Sequence, residues 1–107
     1  MPQFILTYVG GGAPATPEAG RDHMDRYMAW VESLGEASII PQQPLRGTTM
    51  LGDPAATTPI MGFTIIQVEN MAVALAVAES CPFLELPGAA MQVSELALMR
   101  PQRGAEG

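Results

Sequence analysis

The chain has 107 residues, of which 48% are hydrophobic and 15% are charged. This length fits one domain with a single core, and this composition argues against disorder. The net charge of −6 and the scattering of the five arginines argue against a nucleic-acid partner, and the absence of lysine excludes Schiff-base chemistry on a lysine side chain.

The cysteine content and the N-terminal segment bear on where the protein resides. A single cysteine, Cys81, excludes a disulfide within the chain and is typical of a reducing cytoplasm. The first residues lack the basic and apolar regions of a signal peptide, and no stretch approaches the roughly 20 apolar residues of a membrane helix. We therefore expect a soluble, cytoplasmic protein that does not associate with membranes. One histidine and one cysteine, far apart in the sequence, predict neither a metal site nor another cofactor.

The first predicted element is a strand over residues 3–9, which are rich in β-branched and aromatic side chains. Period-two alternation places two largely apolar sets on opposite faces, namely Phe4, Leu6 and Tyr8 on one and Ile5, Thr7 and Val9 on the other. Apolar side chains on both faces predict a central strand that is covered on both sides.

A helix is predicted next, after the glycine-rich stretch at residues 10–12. Thr16 is a suitable N-cap, and Pro17 fits the first helical position. Gly35 is suited to end the helix. Apolar side chains recur between them at spacings of three and four, which predicts an amphipathic helix; they are Met24, Tyr27, Met28, Val31 and Leu34.

The middle of the chain is less regular. A short strand over residues 36–40 is predicted to end at Pro41, and residues 41–60 form either a long irregular loop or an edge hairpin. A strand over residues 62–69 follows.

The last part of the chain is predicted to hold a second helix and a fourth strand. Asn70 caps a helix over residues 71–81 that is apolar nearly all round, so its surface should be covered on more than one side. The fourth strand spans about residues 91–99. We expect a single domain over residues 1–101 and a polar tail over residues 102–107.

This order of elements predicts an α+β protein with the ferredoxin-like βαββαβ arrangement, an antiparallel sheet with both helices on one face. The opposite face of the sheet then has no cover within the chain. Two such sheets packed face to face would bury it, so we expect a homodimer that encloses a space between the sheets.

Several segments carry a family resemblance. They are "FILTYVGGG" at the first strand, "HMDRYMAWVESLGEA" in the first helix, "GFTIIQVENMAVALAVAESCPFL" through the third strand and second helix, and "MQVSELALMRP" at the last strand. Over residues 3–101 the chain resembles the YCII-related (DGPF-type) proteins of the dimeric α+β barrel superfamily. The resemblance implies dimerisation through the sheets and a cleft near the first helix, but no single activity.

The chain departs from this family in the loop before the third strand. The Asp-Gly-Pro-Phe segment for which the family is named is replaced by "DPAATTPIMGF", which retains an aspartate, Asp53, without the rest of the motif. A catalytic role for that aspartate is therefore in doubt, although Asp53 stays in the predicted ligand-binding set.

His23 is the candidate catalytic residue, because imidazole exchanges protons near neutral pH and a carboxylate could orient it. The alternative is a solvated or interface histidine on the flank of an amphipathic helix. The neighbouring Asp22 points elsewhere on the helix, so Glu18, Asp53 or a residue of a second subunit would have to serve as its partner.

The candidate ligand-binding residues are mostly aromatic. His23, Tyr27 and Trp30 fall on one stripe of the predicted helix, which could line a pocket that is mostly apolar with one polar group. The alternative is that Tyr27 and Trp30 fill the core or a dimer contact. Tyr8 and Asp53 complete the predicted set.

Two kinds of function remain open. The first is a small-molecule-binding or enzymatic domain in which His23 is the general acid and base or a hydrogen-bonding anchor. The second is a non-enzymatic regulatory dimer that binds a protein partner through its acidic helices. The aromatic stripe favours the first, and the missing acidic motif favours the second.

Overall fold

A computed structural model describes residues 1–53 and 58–97 of the chain. The elements follow the order β1 (Gln3–Gly10), α1 (Pro17–Leu34), β2 (Ser38–Pro44), β3 (Ile60–Gln67), α2 (Met71–Glu79) and β4 (Ala89–Glu95), with short 3₁₀ helices at Gly35–Ala37 and Pro82–Glu85. The four strands form one antiparallel sheet in the order β2-β3-β1-β4. The predicted ferredoxin-like α+β fold is confirmed. The predicted tail at residues 102–107 and the end of the predicted fourth strand lie outside the described residues.

The central strand β1 holds the core together. Phe4, Leu6 and Tyr8 are at most 4% exposed, whereas the alternate side chains of the strand are only partly buried. Antiparallel pairing with β3 and β4 on either side makes β1 a central strand, as its sequence predicts. Thr64 and Ile66 of β3 lie on the same face as this core set and are equally buried.

Helix α1 begins and ends as its sequence indicates. Thr16 adopts an extended backbone and its Oγ1 accepts a hydrogen bond from the amide of Ala19 at 3.0 Å, while Pro17 occupies the first turn. Gly35 ends the helix with a φ of 53°, in the left-handed range that favours glycine. Tyr27 and Trp30 are the side chains that α1 buries against the sheet.

The predicted end of the second strand at Pro41 is wrong, because β2 continues through Pro41 to Pro44. A proline interrupts a central strand by removing an amide donor, but β2 lies at the edge of the sheet and pairs only with β3. The pairing register shifts just before this proline, between Ser38 and Ile40, and again across it, between Ile40 and Gln43. The edge strand accommodates the proline through that irregularity.

Helix α2 is shorter and more exposed than its sequence predicts. Asn70 caps it, accepting a hydrogen bond from the amide of Val73 at 3.0 Å, and Ser80 follows its last turn. Only Ala74 and Ala78 are buried. The sequence predicts that the surface of α2 is covered on more than one side. Over the described residues, this single chain does not provide that cover.

Over the described residues, the sheet face opposite the helices carries no helix, and its strand side chains are only partly buried. Ile5 and Ile65 lie opposite each other on neighbouring strands, and Thr7 lies opposite Phe63. Ile40 extends this row onto β2 through its pairing with Ile65. We call this surface, defined by Ile5, Thr7, Ile40, Phe63 and Ile65, the open sheet face. No helix in the described ranges is both long and apolar enough to cross a membrane.

Candidate functional site

A cavity of about 310 Å³ lies between the first half of α1 and the helix-covered face of the sheet. Its lining is mostly apolar and comes from α1, the sheet and the 3₁₀ helix that follows α2. The lining residues are Tyr8, Pro14, Gly20, His23, Met24, Tyr27, Gln42, Pro44, Met61, Gly62, Phe83 and Leu86. The structure thus brings three of the predicted site residues, Tyr8, His23 and Tyr27, to one cavity.

Aromatic rings make up much of the cavity wall. The Tyr8 ring lies 5.1 Å from the Phe83 ring and 6.1 Å from the Tyr27 ring, the latter in an edge-on arrangement. The imidazole of His23 stacks on Tyr27 with 6.4 Å between ring centroids and an angle of 16° between planes. Such a wall favours a flat, apolar ligand, because aromatic pairs gain energy in stacked and edge-on geometries.

Three buried hydroxyl groups are joined by hydrogen bonds beneath this wall. The Tyr27 hydroxyl donates to the Tyr8 oxygen at 2.8 Å, and the Tyr8 oxygen lies 2.6 Å from Thr64 Oγ1. Thr64 is 1% exposed and is the buried polar side chain of the described core. A buried hydroxyl is tolerated only when it is hydrogen-bonded. The hydrogen bonds among these three hydroxyls therefore allow Thr64 to occupy a core position.

Burial raises the pKa of both tyrosines above the ordinary value. For Tyr27, the hydrogen bond that it donates to Tyr8 raises the pKa further. For Tyr8, the hydrogen bonds with Thr64 and Tyr27 act in the opposite direction without cancelling the effect of burial. Both phenols therefore stay protonated at neutral pH and act in the cavity as hydrogen-bonding groups rather than as bases.

His23 is half-buried and lies between two cavities. It lines the main cavity and also a second one of about 260 Å³, on the side of Arg26 and Glu85. Arg26 donates to the Glu85 carboxylate there, and both side chains are about half exposed, so the pair contributes at most about 1 kcal/mol. Over the described ranges, no carboxylate is hydrogen-bonded to His23. The imidazole of His23 thus borders both cavities.

The structure places two predicted ligand-binding residues away from the cavity. Trp30 packs in the core, where its indole Nε1 donates to Ser80 Oγ at 2.9 Å and to the Val77 carbonyl at 3.3 Å. Asp53 is exposed in the loop before β3 and does not line the cavity. The alternative interpretation of Trp30 as a core residue therefore agrees with its contacts.

Sequence reasoning missed other residues of the site. Phe83 and Leu86 follow Pro82 in a segment without periodicity, so no pattern pointed to them. Thr64 carried a usable signal, because it alternates with Gly62 and Ile66 and had to share their face.

The glycine-rich stretch at the end of β1 has a structural role. Gly11 has a φ of 94°, and a Cβ at this position would come within 3.1 Å of the Phe83 ring. The amide of the next residue, Gly12, donates to the Pro87 carbonyl at 2.7 Å. These glycines let the segment 82–87 pack tightly against the end of β1, which holds Phe83 beside Tyr8 in the cavity wall.

Cys81 is a packing residue. It is 2% exposed, and burial raises the pKa of its thiol to about 11. Only a small fraction is therefore thiolate at neutral pH, which argues against a nucleophilic role. Within the part of the chain that the structure describes, no cluster of three or more His, Cys, Asp and Glu side chains is placed to hold a metal ion.

These features define a small ferredoxin-like α+β domain with a ring-sized, mostly apolar cavity beneath its first helix. No family model matches the chain, and no curated protein matches it. Membership of the YCII-related family therefore stays a prediction.

Among solved structures, the chain is similar to the 5-chloro-2-hydroxyhydroquinone dehydrochlorinase of Burkholderia phenoliruptrix AC1100, whose structure is a complex with 2,5-dihydroxybenzoquinone. The two share 22% sequence identity with a TM-score of 0.55, over 85% of this chain and 90% of the dehydrochlorinase. At this level of identity, the similarity concerns the fold.

Proposed function

We propose that this protein binds a small, planar ring compound in the cavity beneath α1, with His23 as its hydrogen-bonding anchor or its general acid and base. The observation that carries the proposal is the convergence of Tyr8, Tyr27 and Phe83 into one aromatic wall with an imidazole stacked at its margin. Ligand sites commonly combine a mainly apolar lining with a few placed polar groups in this way.

The size of the cavity limits the ligand. A volume of about 310 Å³ lies at the lower end of the roughly 300–1,000 Å³ typical of ligand sites, so one or two fused rings fit. The similar dehydrochlorinase structure holds 2,5-dihydroxybenzoquinone, a single ring with hydroxyl and carbonyl groups. A ligand of that size class agrees with the wall and with the imidazole.

The chemistry available at this site is proton transfer to or from a ring substituent. Imidazole accepts and donates protons near neutral pH, whereas the two cavity phenols stay protonated. A ring hydroxyl hydrogen-bonded to His23 would give its proton to the imidazole, and water in the second cavity, which His23 also lines, would accept it from there.

We expect His23→Ala to abolish or weaken ligand binding at least tenfold, because the cavity then lacks its imidazole. The measurement is NMR of the labelled chain against a library of small ring compounds that includes 2,5-dihydroxybenzoquinone. Asp22→Ala is the matched control, since Asp22 is the exposed neighbour of His23 and does not line the cavity. Unchanged binding by the His23 variant, or binding of no small ring compound by the wild type, would contradict the proposal.

We further propose that two copies of the chain associate through the open sheet face. Its apolar side chains, Ile5, Ile65 and Phe63 among them, are only partly buried in the single chain, and exposed apolar patches of this kind commonly mark interfaces. The described strand positions on this face carry no charged side chain. Two copies of a chain with a net charge of −6 can therefore meet there with little repulsion.

A charge placed in the middle of this face should dissociate the dimer. We expect the wild type to sediment as a dimer at micromolar concentration and Ile65→Glu to sediment as a monomer, because the dimer would bury an unpaired carboxylate. Met28→Glu adds the same charge at an exposed position of α1 and should leave the dimer intact. A monomeric wild type would refute the dimer.

A further inference from the structure

We propose that Gln42 is a second polar contact for the ligand, at the end of the cavity away from His23, and that the cavity therefore selects two-ring compounds with a polar group at each end. The inference rests on the proposed function and adds to it a specificity-determining residue and a class of ligand. Gln42 lines the main cavity together with His23, but it comes from the edge strand β2 rather than from α1.

An extra residue in β2 turns Gln42 toward the cavity. Ile40 lies opposite Ile65. Three residues further along β2, Gln43 lies opposite Phe63, which is only two residues from Ile65 on β3. In a regular ladder, Gln42 would lie opposite Phe63 on the open sheet face. Because of the extra residue, Gln43 takes that position, and Gln42 lines the cavity on the helix-covered face.

The carboxamide of Gln42 is free to bind a ligand. The Gln42 side chain is partly buried, whereas the neighbouring Gln43 side chain is exposed. Gln43 donates from its Nε2 to the Pro41 carbonyl at 3.0 Å, but over residues 1–53 and 58–97 the Gln42 carboxamide forms no hydrogen bond within the chain. A carboxamide both donates and accepts hydrogen bonds, so Gln42 can bind a hydroxyl or a carbonyl group.

The order of the strands puts Gln42 and His23 toward opposite ends of the cavity. The 3₁₀ helix at Pro82–Glu85 packs against β4 and α1, and His23 lines the smaller cavity beside it. Strand β2 is the other edge of the sheet, and Tyr8 of β1 and Gly62 of β3 line the cavity between the two ends. Two interstrand spacings, about 10 Å, separate β1 from β2. Two fused rings span this width better than one.

The lining between the two polar ends is mostly apolar. The rings of Tyr27 and Phe83 and the side chain of Met61 contribute to it, and the Tyr27 hydroxyl is already hydrogen-bonded to Tyr8. A polar substituent in the middle of the ligand would lose its bonds to water without replacement, whereas one at each end meets an imidazole or a carboxamide. The expected ligands are therefore fused two-ring compounds with a hydroxyl or carbonyl group at both ends.

The test compares 2,6-dihydroxynaphthalene with 6-fluoro-2-naphthol, in which fluorine replaces the second hydroxyl at nearly the same size, by titration followed in NMR spectra of the labelled chain. We expect the wild type to bind the diol about tenfold more tightly, of which the symmetry of the diol accounts for about twofold. In Gln42→Met, which keeps the length of the side chain without its carboxamide, the preference should fall to about twofold or less. Gln43→Met is the matched control and should keep the full preference, because Gln43 does not line the cavity.

A third probe tests the separation of the two polar ends. In 2,3-dihydroxynaphthalene the same two hydroxyls lie on neighbouring carbons, so the wild type should bind it about fivefold more weakly than the 2,6-diol.

Three results would overturn the inference while leaving the cavity a binding site. They are equal affinities of the wild type for the 2,6-diol and either other probe, a full preference kept in Gln42→Met, and a preference lost equally in Gln43→Met. Failure of all three probes to bind the wild type would overturn the inference together with the proposed function.

Discussion

Replacing Leu6 by alanine is expected to lower the free energy of unfolding by about 2 to 5 kcal/mol. Leu6 is 0% exposed and lies in the central strand, opposite Thr64 on one neighbouring strand and Val93 on the other. Strands on both sides fix its surroundings, so the space left by the lost methyl groups cannot collapse. Urea denaturation followed by the fluorescence of the buried Trp30 measures the loss.

The matched control for Leu6→Ala is Ile5→Ala, at the adjacent residue on the opposite face. Ile5 is only partly buried in the single chain, so its truncation should cost less than half as much where the protein is monomeric. At concentrations where dimers form, the cost should rise, because the stability of a dimer depends on the concentration of the chain. Equal losses for the two variants at every concentration would contradict the assignment of the two faces of β1.

Two glycine substitutions on opposite walls of the cavity are expected to change stability in opposite directions. A Cβ on Gly62 would come within 2.7 Å of the Gln43 carbonyl oxygen and 3.2 Å of Pro44 Cα, both backbone atoms of the paired edge strand. Because backbone cannot rotate away as a side chain does, Gly62→Ala should cost about 1 to 3 kcal/mol. The measurement is again urea denaturation.

Gly20→Ala is the counterpart of this variant, on the helical wall of the cavity. The added Cβ would meet Pro14 no closer than 3.6 Å, an ordinary van der Waals distance. Alanine is favoured over glycine inside a helix by about 1 kcal/mol, so the variant should be more stable than the wild type. A Gly62→Ala variant as stable as the Gly20→Ala variant would show that β2 does not pack against β3 as closely as described.

The sequence was informative where local chemistry decides the structure. The alternation in β1 predicts both the core set and the open sheet face, and Thr16 and Asn70 mark the starts of the two helices. These signals depend on side-chain periodicity and on capping groups within three residues of each other. Packing against the rest of the fold therefore rarely changes a strand or a helix start that these local signals predict.

The candidate site was only partly predictable, for geometric reasons. His23 and Trp30 share a helical stripe, but seven residues of helix separate them by about 10 Å along the axis, so one lies at the cavity and the other in the core. Phe83 reaches the cavity from a segment that the fold, not the sequence pattern, brings beside Tyr8. The continuation of β2 past Pro41 likewise depends on its place at the sheet edge, which the local sequence does not reveal.

The prolines of β2 have a consequence for how copies of this protein can meet. An unprotected edge strand is a template on which another chain can extend the sheet, and this is a common start of aggregation. Pro41 and Pro44 each remove an amide hydrogen from the strand at this edge, and the register there is irregular. Growth of a continuous intermolecular sheet from β2 is thereby discouraged, which agrees with the proposed association of two copies through the open sheet face.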